Sequence, residues 1–278
     1  MTKARLLVLK LGGELIDDRS RLQSVVEVAT RIAATIPLVL VHGGGKEIDA
    51  ALKAAGIEKR QIDGVRVTDA ATLDVVVAVL VGTVNTRLVA ALTHAGVPAV
   101  GLTGADANCG LSDAAPPHRT TDGRMVDLGR VGVPSEQADM RLPRTLVSGG
   151  FVPVLACIGI GRDGRLFNVN ADTFAGHLAA RLGASRLVIA GTTAGVLDAS
   201  GATIGALDQA GIGGLLDDGT ATAGMIAKLR ACDHALAAGV DDVVIVDGRD
   251  RDALEQAATQ AAPSKATVLI RAADGVRR

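Results

Sequence analysis

The chain has 278 residues, of which 29 are Lys or Arg and 30 are Asp or Glu, giving a formal net charge of −1. That length suits one large α/β domain or two lobes sharing a sheet, and the balanced charge excludes the global basic field of a dedicated DNA- or RNA-binding protein. Three Phe with neither Tyr nor Trp exclude base-stacking platforms and aromatic cages, and leave a core of Val, Leu, Ile and Ala.

Short apolar runs recur along the chain, each closed by a turn and followed by a helical pattern. Arg5–Leu9 reads as the first strand, closed by Lys10-Leu11-Gly12-Gly13, with a helix over Ser20–Thr35. Leu38–Val41 is the second, closed by His42-Gly43-Gly44-Gly45 and followed by a helix over about Lys46 to Ala55. The next helical stretch, Asp69–Ala95, has almost no polar face, where a surface helix would show a stripe. Burial on both sides, against a second subunit, is one reading; a core helix or a strand is another, since Val favours strands. Ala99–Leu102 follows as a third strand, ending in Thr103-Gly104. Ser112–Gly123, with Pro116-Pro117 and Thr120-Thr121, reads as a surface loop. Phe151–Ile158 is the fourth strand, followed by a hairpin-like turn at Gly161–Gly164 and a helix over Asp172–Leu182. Arg186–Ala190 is the fifth, ending in Gly191-Thr192-Thr193. A helix over Ala223–Ala238 precedes the sixth, Asp242–Val246. Strand, turn and helix in repetition predict an α/β fold with a mostly parallel sheet between helices, and ligands at the carboxyl ends of its strands.

Several residues in those turns suit an anionic ligand. Glycine lets the backbone approach closely and expose its N–H groups, and the helix that follows adds positive potential. Gly12-Gly13 and Gly43-Gly44-Gly45 fit that description, although tight strand–helix turns need glycine for geometry alone, and neither matches a dinucleotide or P-loop fingerprint. Only seven of the 29 basic residues are Lys. Against this Arg-rich background, Lys10 at a strand end and Lys228 near a helix start are compact cations suited to a phosphoryl group. An amphipathic side chain reaching solvent is the competing reading, stronger for Lys228. In Asn168-Val169-Asn170-Ala171-Asp172, alternation along a strand would turn Asn168 and Asn170 to one pocket, and Asp172 is either a site carboxylate or a helix N-cap. Arg66, alone in an apolar run, suits a substrate carboxylate or a structural salt bridge.

Cys109, Cys157 and Cys232 are odd in number and widely spaced, which predicts neither disulfides nor a zinc site and fits a reducing, cytoplasmic setting. The apolar run Leu6–Leu9 is too short for a signal peptide, and the sequence lacks an uninterrupted apolar window of transmembrane length, so no membrane association is expected.

Taken in order, Lys10-Leu11-Gly12-Gly13, Val39–Gly45, Gly64-Val65-Arg66-Val67-Thr68, Asp127–Gly132, Asn168–Asp172 and Gly224–Lys228 resemble the amino acid kinase family from about Arg5 to Ile270. The resemblance implies a three-layer open αβα sandwich, with residues 1–182 forming an acyl amino acid lobe that also dimerises and residues 183–278 forming an ATP lobe. It implies transfer of a phosphoryl group from ATP, with Mg²⁺, to the side-chain carboxylate of the small molecule N-acetyl-L-glutamate in arginine biosynthesis. A related acyl amino acid, including a carrier-linked one, and a non-catalytic sensor are the alternatives. By position, Lys10 and Lys228 would stabilise the transferring group and Asp172 would hold them. Gly44, Gly45, Arg66 and Asn168 would bind the acyl amino acid. Gly13 and Gly44 would donate N–H groups near the phosphoryl oxygens. Thr192, Thr193, Gly195, Val196 and Leu197, with Thr220, Ala221 and Thr222, would contact nucleotide. The chain departs from the family pattern at Thr192, where an acidic residue is usual, and at Ala223, where Gly or Asp is; its Asp106–Asp122 loop is longer and richer in Pro. The chain begins close to its first strand, without the N-terminal helix of arginine-inhibited hexameric relatives, so a homodimer without arginine feedback is expected.

Overall fold

The computed structural model describes residues 6–120, 123–217, 223–261, 263 and 265–271. Its centre is an eight-stranded sheet whose strands are here numbered β1 (Leu7–Leu11), β2 (Leu38–His42), β3 (Ala99–Thr103), β4 (Val152–Ala156), β5 (Arg186–Gly191), β6 (Ala206–Asp208), β7 (Asp242–Asp247) and β8 (Ala266–Ile270). They lie in the order β6-β8-β7-β5-β1-β2-β4-β3. The run from β7 to β3 is parallel; β8 pairs antiparallel with β7. The middle strands are buried along their whole length, as β1, β2 and β4 show. A sheet covered on both faces demands such uninterrupted Val/Leu/Ile runs.

The helices are α1 (Arg19–Ala33), α2 (Gly45–Ala54), α3 (Ala70–His94), α4 (Arg141–Ser148), α5 (Ala171–Leu182), α6 (Gln209–Asp217), α7 (Ala223–Ala237) and α8 (Arg251–Thr259). Caps match their sequences: Asp18, Asp69 and Asp250 each accept a backbone N–H in the first turn of the helix they precede. Helix α3 is α-helical over Ala70–Val77, widens into a π-helix over Ala78–Asn85 and resumes over Thr86–His94. By length and composition it could cross a membrane, with a mean hydropathy of 2.0 in its most apolar window, of which 39% is buried. In the fold its Leu73, Val76, Val79, Leu80, Val84, Leu88 and Leu92 turn inward to the core.

Three local expectations change. The apolar run Phe151–Ile158 is not one strand: it breaks at Cys157, and Ile158–Ile160 joins a second sheet with Leu166–Val169, Val131–Pro134 and Ser112–Ala114. The stretch expected as a loop contributes Ser112–Ala114 to that sheet, where Ser112 is buried, and His118–Arg119 to a small hairpin with Met125–Val126; Thr121 and Asp122 lie outside the described residues. The sheet also holds two strands beyond the six expected, β6, of only three residues, and β8, the apolar run Ala266–Ile270.

Candidate functional site

The carboxyl ends of β2, β1, β5 and β7 form one continuous rim. Each glycine beyond a strand end donates its N–H to a carbonyl of the neighbouring strand: Gly43 to Leu11, Gly12 to Ala190 and Gly248 to Gly191. Strand pairing therefore continues into the turns and fixes their heights relative to one another. Gly13 and Gly44 then meet. A β-carbon on Gly13 would stand 2.8 Å from the Gly44 Cα and 3.0 Å from its N, so neither turn tolerates a side chain at that crossing. The N–H groups of Gly13, Gly44 and Gly45 have no protein acceptor among the described residues, and α2 begins at Gly45 with its positive end toward them.

Lys10 lies one residue before the end of β1 and is 7% exposed. Its Nζ sits 2.8 Å from Asp172 Oδ1. Lys228, projecting from α7, places its Nζ 3.1 Å from the other oxygen, Oδ2. Asp172 thus joins a strand and a helix that lie far apart in the chain. It is not the cap of α5: Asn170 is, accepting from the Asp172 and Thr173 N–H groups, and this frees the Asp172 carboxylate for the lysines. Burial alone would push the Asp172 carboxyl up; Lys10 and Lys228 outweigh it and bring it down to about 2. Burial likewise pulls Lys10 down, but the charge and hydrogen bond of Asp172 hold it above its ordinary value. Lys228 falls below its ordinary value, from burial first and the Lys10 charge second, against Asp172. Two buried ammonium groups share one carboxylate, so the cluster keeps one uncompensated positive charge, and a buried charge of that kind needs an anion.

Arg66, in a hairpin of Gln61–Ile62 with Val65–Arg66, fulfils one of its two sequence readings directly: its Nη2 lies 2.5 Å from Asp49 Oδ1 of α2. Its Nη1 is buried and has no hydrogen-bond partner among the described residues. One arm of the guanidinium is thereby anchored and the other keeps its donors unused. Asn168 donates to the Thr68 hydroxyl at 3.2 Å, beside the same segment. Asn168 and Asn170 do not share a pocket, because the cap geometry turns Asn170 to its own helix.

On the other side of β1, Thr192 and Thr193 leave the end of β5, and the Thr192 carbonyl accepts from Arg249 at 2.9 Å. Gly195 has φ of 109°, with Thr267 crowding its Cβ position, a conformation that favours glycine. Val196 is buried in the core and donates its N–H to the Thr267 hydroxyl, while Leu197 is 47% exposed. Along this stretch Thr192 is half-buried, Thr193 and Leu197 are exposed, and Val196 is buried. Thr220, Ala221 and Thr222 lie outside the described residues.

Sequence reasoning passed over four polar residues of the rim. Arg87 of α3 donates to Glu47 Oε1 at 2.5 Å and to the Ile16 carbonyl at 2.8 Å, which ties α2 to the segment after β1. Glu14 lays its carboxylate across Gly12 and 3.7 Å from the Cβ position of Gly191. His42 and Asn85 are buried together behind the second glycine turn. His42 and Asn85 carry a signal, a polar type inside an apolar run; Glu14 and Arg87 are half-buried and carry none.

Comparison with known proteins adds the wider context. The model of the amino acid kinase family matches residues 5–247. An acetylglutamate kinase of Erythrobacter litoralis is 42% identical over 252 residues, covering 88% of this chain and 83% of that one. One of Novosphingobium aromaticivorans is 40% identical over 252 residues, covering 87% and 83%. Among solved structures, N-acetylglutamate synthase of Neisseria gonorrhoeae, complexed with coenzyme A and N-acetyl-glutamate, superimposes with a TM-score of 0.83 at 24% identity. It covers 98% of this chain, which spans 60% of the synthase; at that identity the likeness concerns the fold.

Proposed function

The chain belongs to the amino acid kinase family, and from that membership and the lysine–aspartate cluster we infer that it is an acetylglutamate kinase. It transfers the γ-phosphoryl group of ATP to the side-chain carboxylate of N-acetyl-L-glutamate, giving N-acetylglutamyl 5-phosphate and ADP, a step of arginine biosynthesis. Curated acetylglutamate kinases about 40% identical over most of the chain support the substrate. The observation that carries the chemistry is the pair of buried ammonium groups of Lys10 and Lys228 on opposite oxygens of Asp172.

A carboxylate is already anionic at neutral pH, so the nucleophile needs no general base. The barrier is negative charge, present on both reactants and on the group in transit. Lys10 and Lys228 neutralise it, and Asp172 keeps them at fixed positions before substrate arrives, so little reorganisation is left for the reaction. Gly13 and Gly44 add N–H donors to the phosphoryl oxygens. Gly44, Gly45, Asn168 and the free arm of Arg66 hold the acyl amino acid, and Thr192, Thr193, Gly195 and Leu197 line the nucleotide side, with Val196 buried beneath them. Residues 1–182 form the acyl amino acid lobe and residues 183–278 the nucleotide lobe. The lysines and glycine N–H groups fit a polyphosphate, and the Glu14 carboxylate beside Gly12 and Gly191 fits a Mg²⁺ carried on its oxygens. Bound there, that ion would further neutralise phosphate charge.

The active form is a homodimer. Support comes from α3 and the edge strand β3, between which a groove of about 520 Å³ is lined by Val81, Val89, Ala90 and Leu102, with Thr86, Thr103 and Asp106 as its polar part. An edge strand beside an apolar helix face is a surface that a second copy covers. The three buried, unpaired cysteines suit a reducing cytoplasm. Hydroxylamine trapping with N-acetylglutamate, ATP and Mg²⁺ tests the activity: a hydroxamate is expected, and its absence in folded protein would reject the reading.

A further inference from the structure

Behind the second glycine turn lies a buried polar relay that the transfer chemistry has not used. His42 closes β2 and is completely buried; Asn85 ends the π-helical segment of α3 and is 5% exposed. Asn85 Nδ2 lies 2.9 Å from the Val154 carbonyl and 3.0 Å from His42 Nε2. The carbonyl accepts only, so the Asn85 group facing it is the NH₂, and its second N–H points to Nε2. The amide fits there because residue 101 is glycine: Asn85 Oδ1 lies 2.3 Å from the position a Cβ on Gly101 would take. Nε2 is therefore an acceptor and the ring proton resides on Nδ1, which lies 3.1 Å from the Gly43 carbonyl. Burial pushes the His42 pKa down to about 4, so the ring is neutral and this one tautomer persists at working pH.

The consequence lies on the far side of one peptide group. Cis peptides are absent from the described residues, and in a trans peptide the C=O of Gly43 and the N–H of Gly44 point in opposite directions. Holding the carbonyl inward against His42 turns the Gly44 N–H outward. We propose that His42, its tautomer set by Asn85, is a positioning residue for phosphoryl transfer, orienting the Gly44 N–H toward the transferring group. The π-helix is the device that brings Asn85 over β2, β4 and β3 at once. The proposal rests on the kinase reading above and adds a residue to its machinery.

The test combines spectroscopy with kinetics. Long-range ¹H–¹⁵N imidazole spectra of the parent at pH 7, with the His42 signals assigned by their loss in His42→Asn, should show a protonated Nδ1 and a bare Nε2. A protonated Nε2 overturns the proposal, whether or not any variant folds well. His42→Leu should lose about ten- to a hundred-fold in kcat, while KM for ATP and for N-acetylglutamate moves less than about threefold. His42→Asn, whose Nδ2 takes the place of Nδ1, should recover most of that loss. Parent-like kcat in His42→Leu, or equal loss in both variants at equal thermal stability, refutes it. If the parent itself forms no hydroxamate, the kinase reading fails first and takes this role with it.

Discussion

Gly13 and Gly44, from turns after different strands, touch backbone to backbone, leaving 2.8 Å between a Gly13 Cβ position and the Gly44 Cα. No flexible side chain is available to yield at that contact. Gly13→Ala should therefore force the turns apart and displace the N–H donors. A fall in kcat of about a hundred-fold is expected, with about 1–3 kcal/mol of stability lost to overpacking. Steady-state kinetics beside a denaturation curve checks both; unchanged turnover would show that the contact is irrelevant to transfer.

Lys10→Arg keeps a positive charge but replaces a compact ammonium with a planar fork in a site that is almost fully buried. Turnover should nearly vanish, corresponding to about 3–4 kcal/mol of transition-state stabilisation, with the melting curve still cooperative. Turnover within tenfold of the parent would remove Lys10 from the mechanism.

At Arg66, one arm holds Asp49 and the other is unpartnered. Lysine can replace the first contact and not the second. Arg66→Lys should raise KM for N-acetylglutamate by about ten-fold or more, with kcat and KM for ATP little changed. An effect confined to ATP would reject its assignment.

Stability should fall on mild acidification. Burial lowers His42 and His177 from 6.5 to about 4. Both rings are neutral when folded, and the unfolded chain takes up protons first, so their contribution is complete above pH 6.5 and fades as pH drops toward 4. Each ring accounts for about 2 kcal/mol lost between pH 7 and pH 5. His177→Asn, outside the proposed site, should flatten that slope in urea titrations at the two pH values; an unaltered slope would mean that His177 titrates alike in the folded and unfolded chain.

Along the α3 and β3 groove, Ala90 is exposed. Ala90→Arg should convert the proposed dimer to monomer in sedimentation velocity without lowering helix content. A parent that sediments as a monomer at micromolar concentration would dispose of the dimer.

Much of the fold is legible in the sequence. Strand, turn and helix alternate because the apolar runs are short, glycines follow the strand ends, and four helices open on a capping Asp or Asn: Asp18, Asp69, Asn170 and Asp250. The six strands read from the sequence all reappear in the central sheet with small shifts of their ends, although the fourth sheds Ile158–Ile160 to the second sheet. Lys10, Asp172 and Lys228 stand out as residue types that are unusual in their settings. The break at Cys157 was not legible, because an apolar run carries no mark of where it changes partner. Nor was the choice between Asn170 and Asp172 as the cap of α5, since both types cap well and only the lysines nearby decide which carboxylate or amide is released.

Periodicity and turn chemistry are properties of neighbours in the chain, so the sequence by itself determined the element types, the glycine rim and the cast of charged residues. Which oxygen of Asp172 meets which ammonium, that Asp49 takes one arm of Arg66, and that Asn85 reaches His42 depend on segments packed together across the sheet. Those contacts arise from burial and strand order, which no local spacing encodes, and only the tertiary structure decided them.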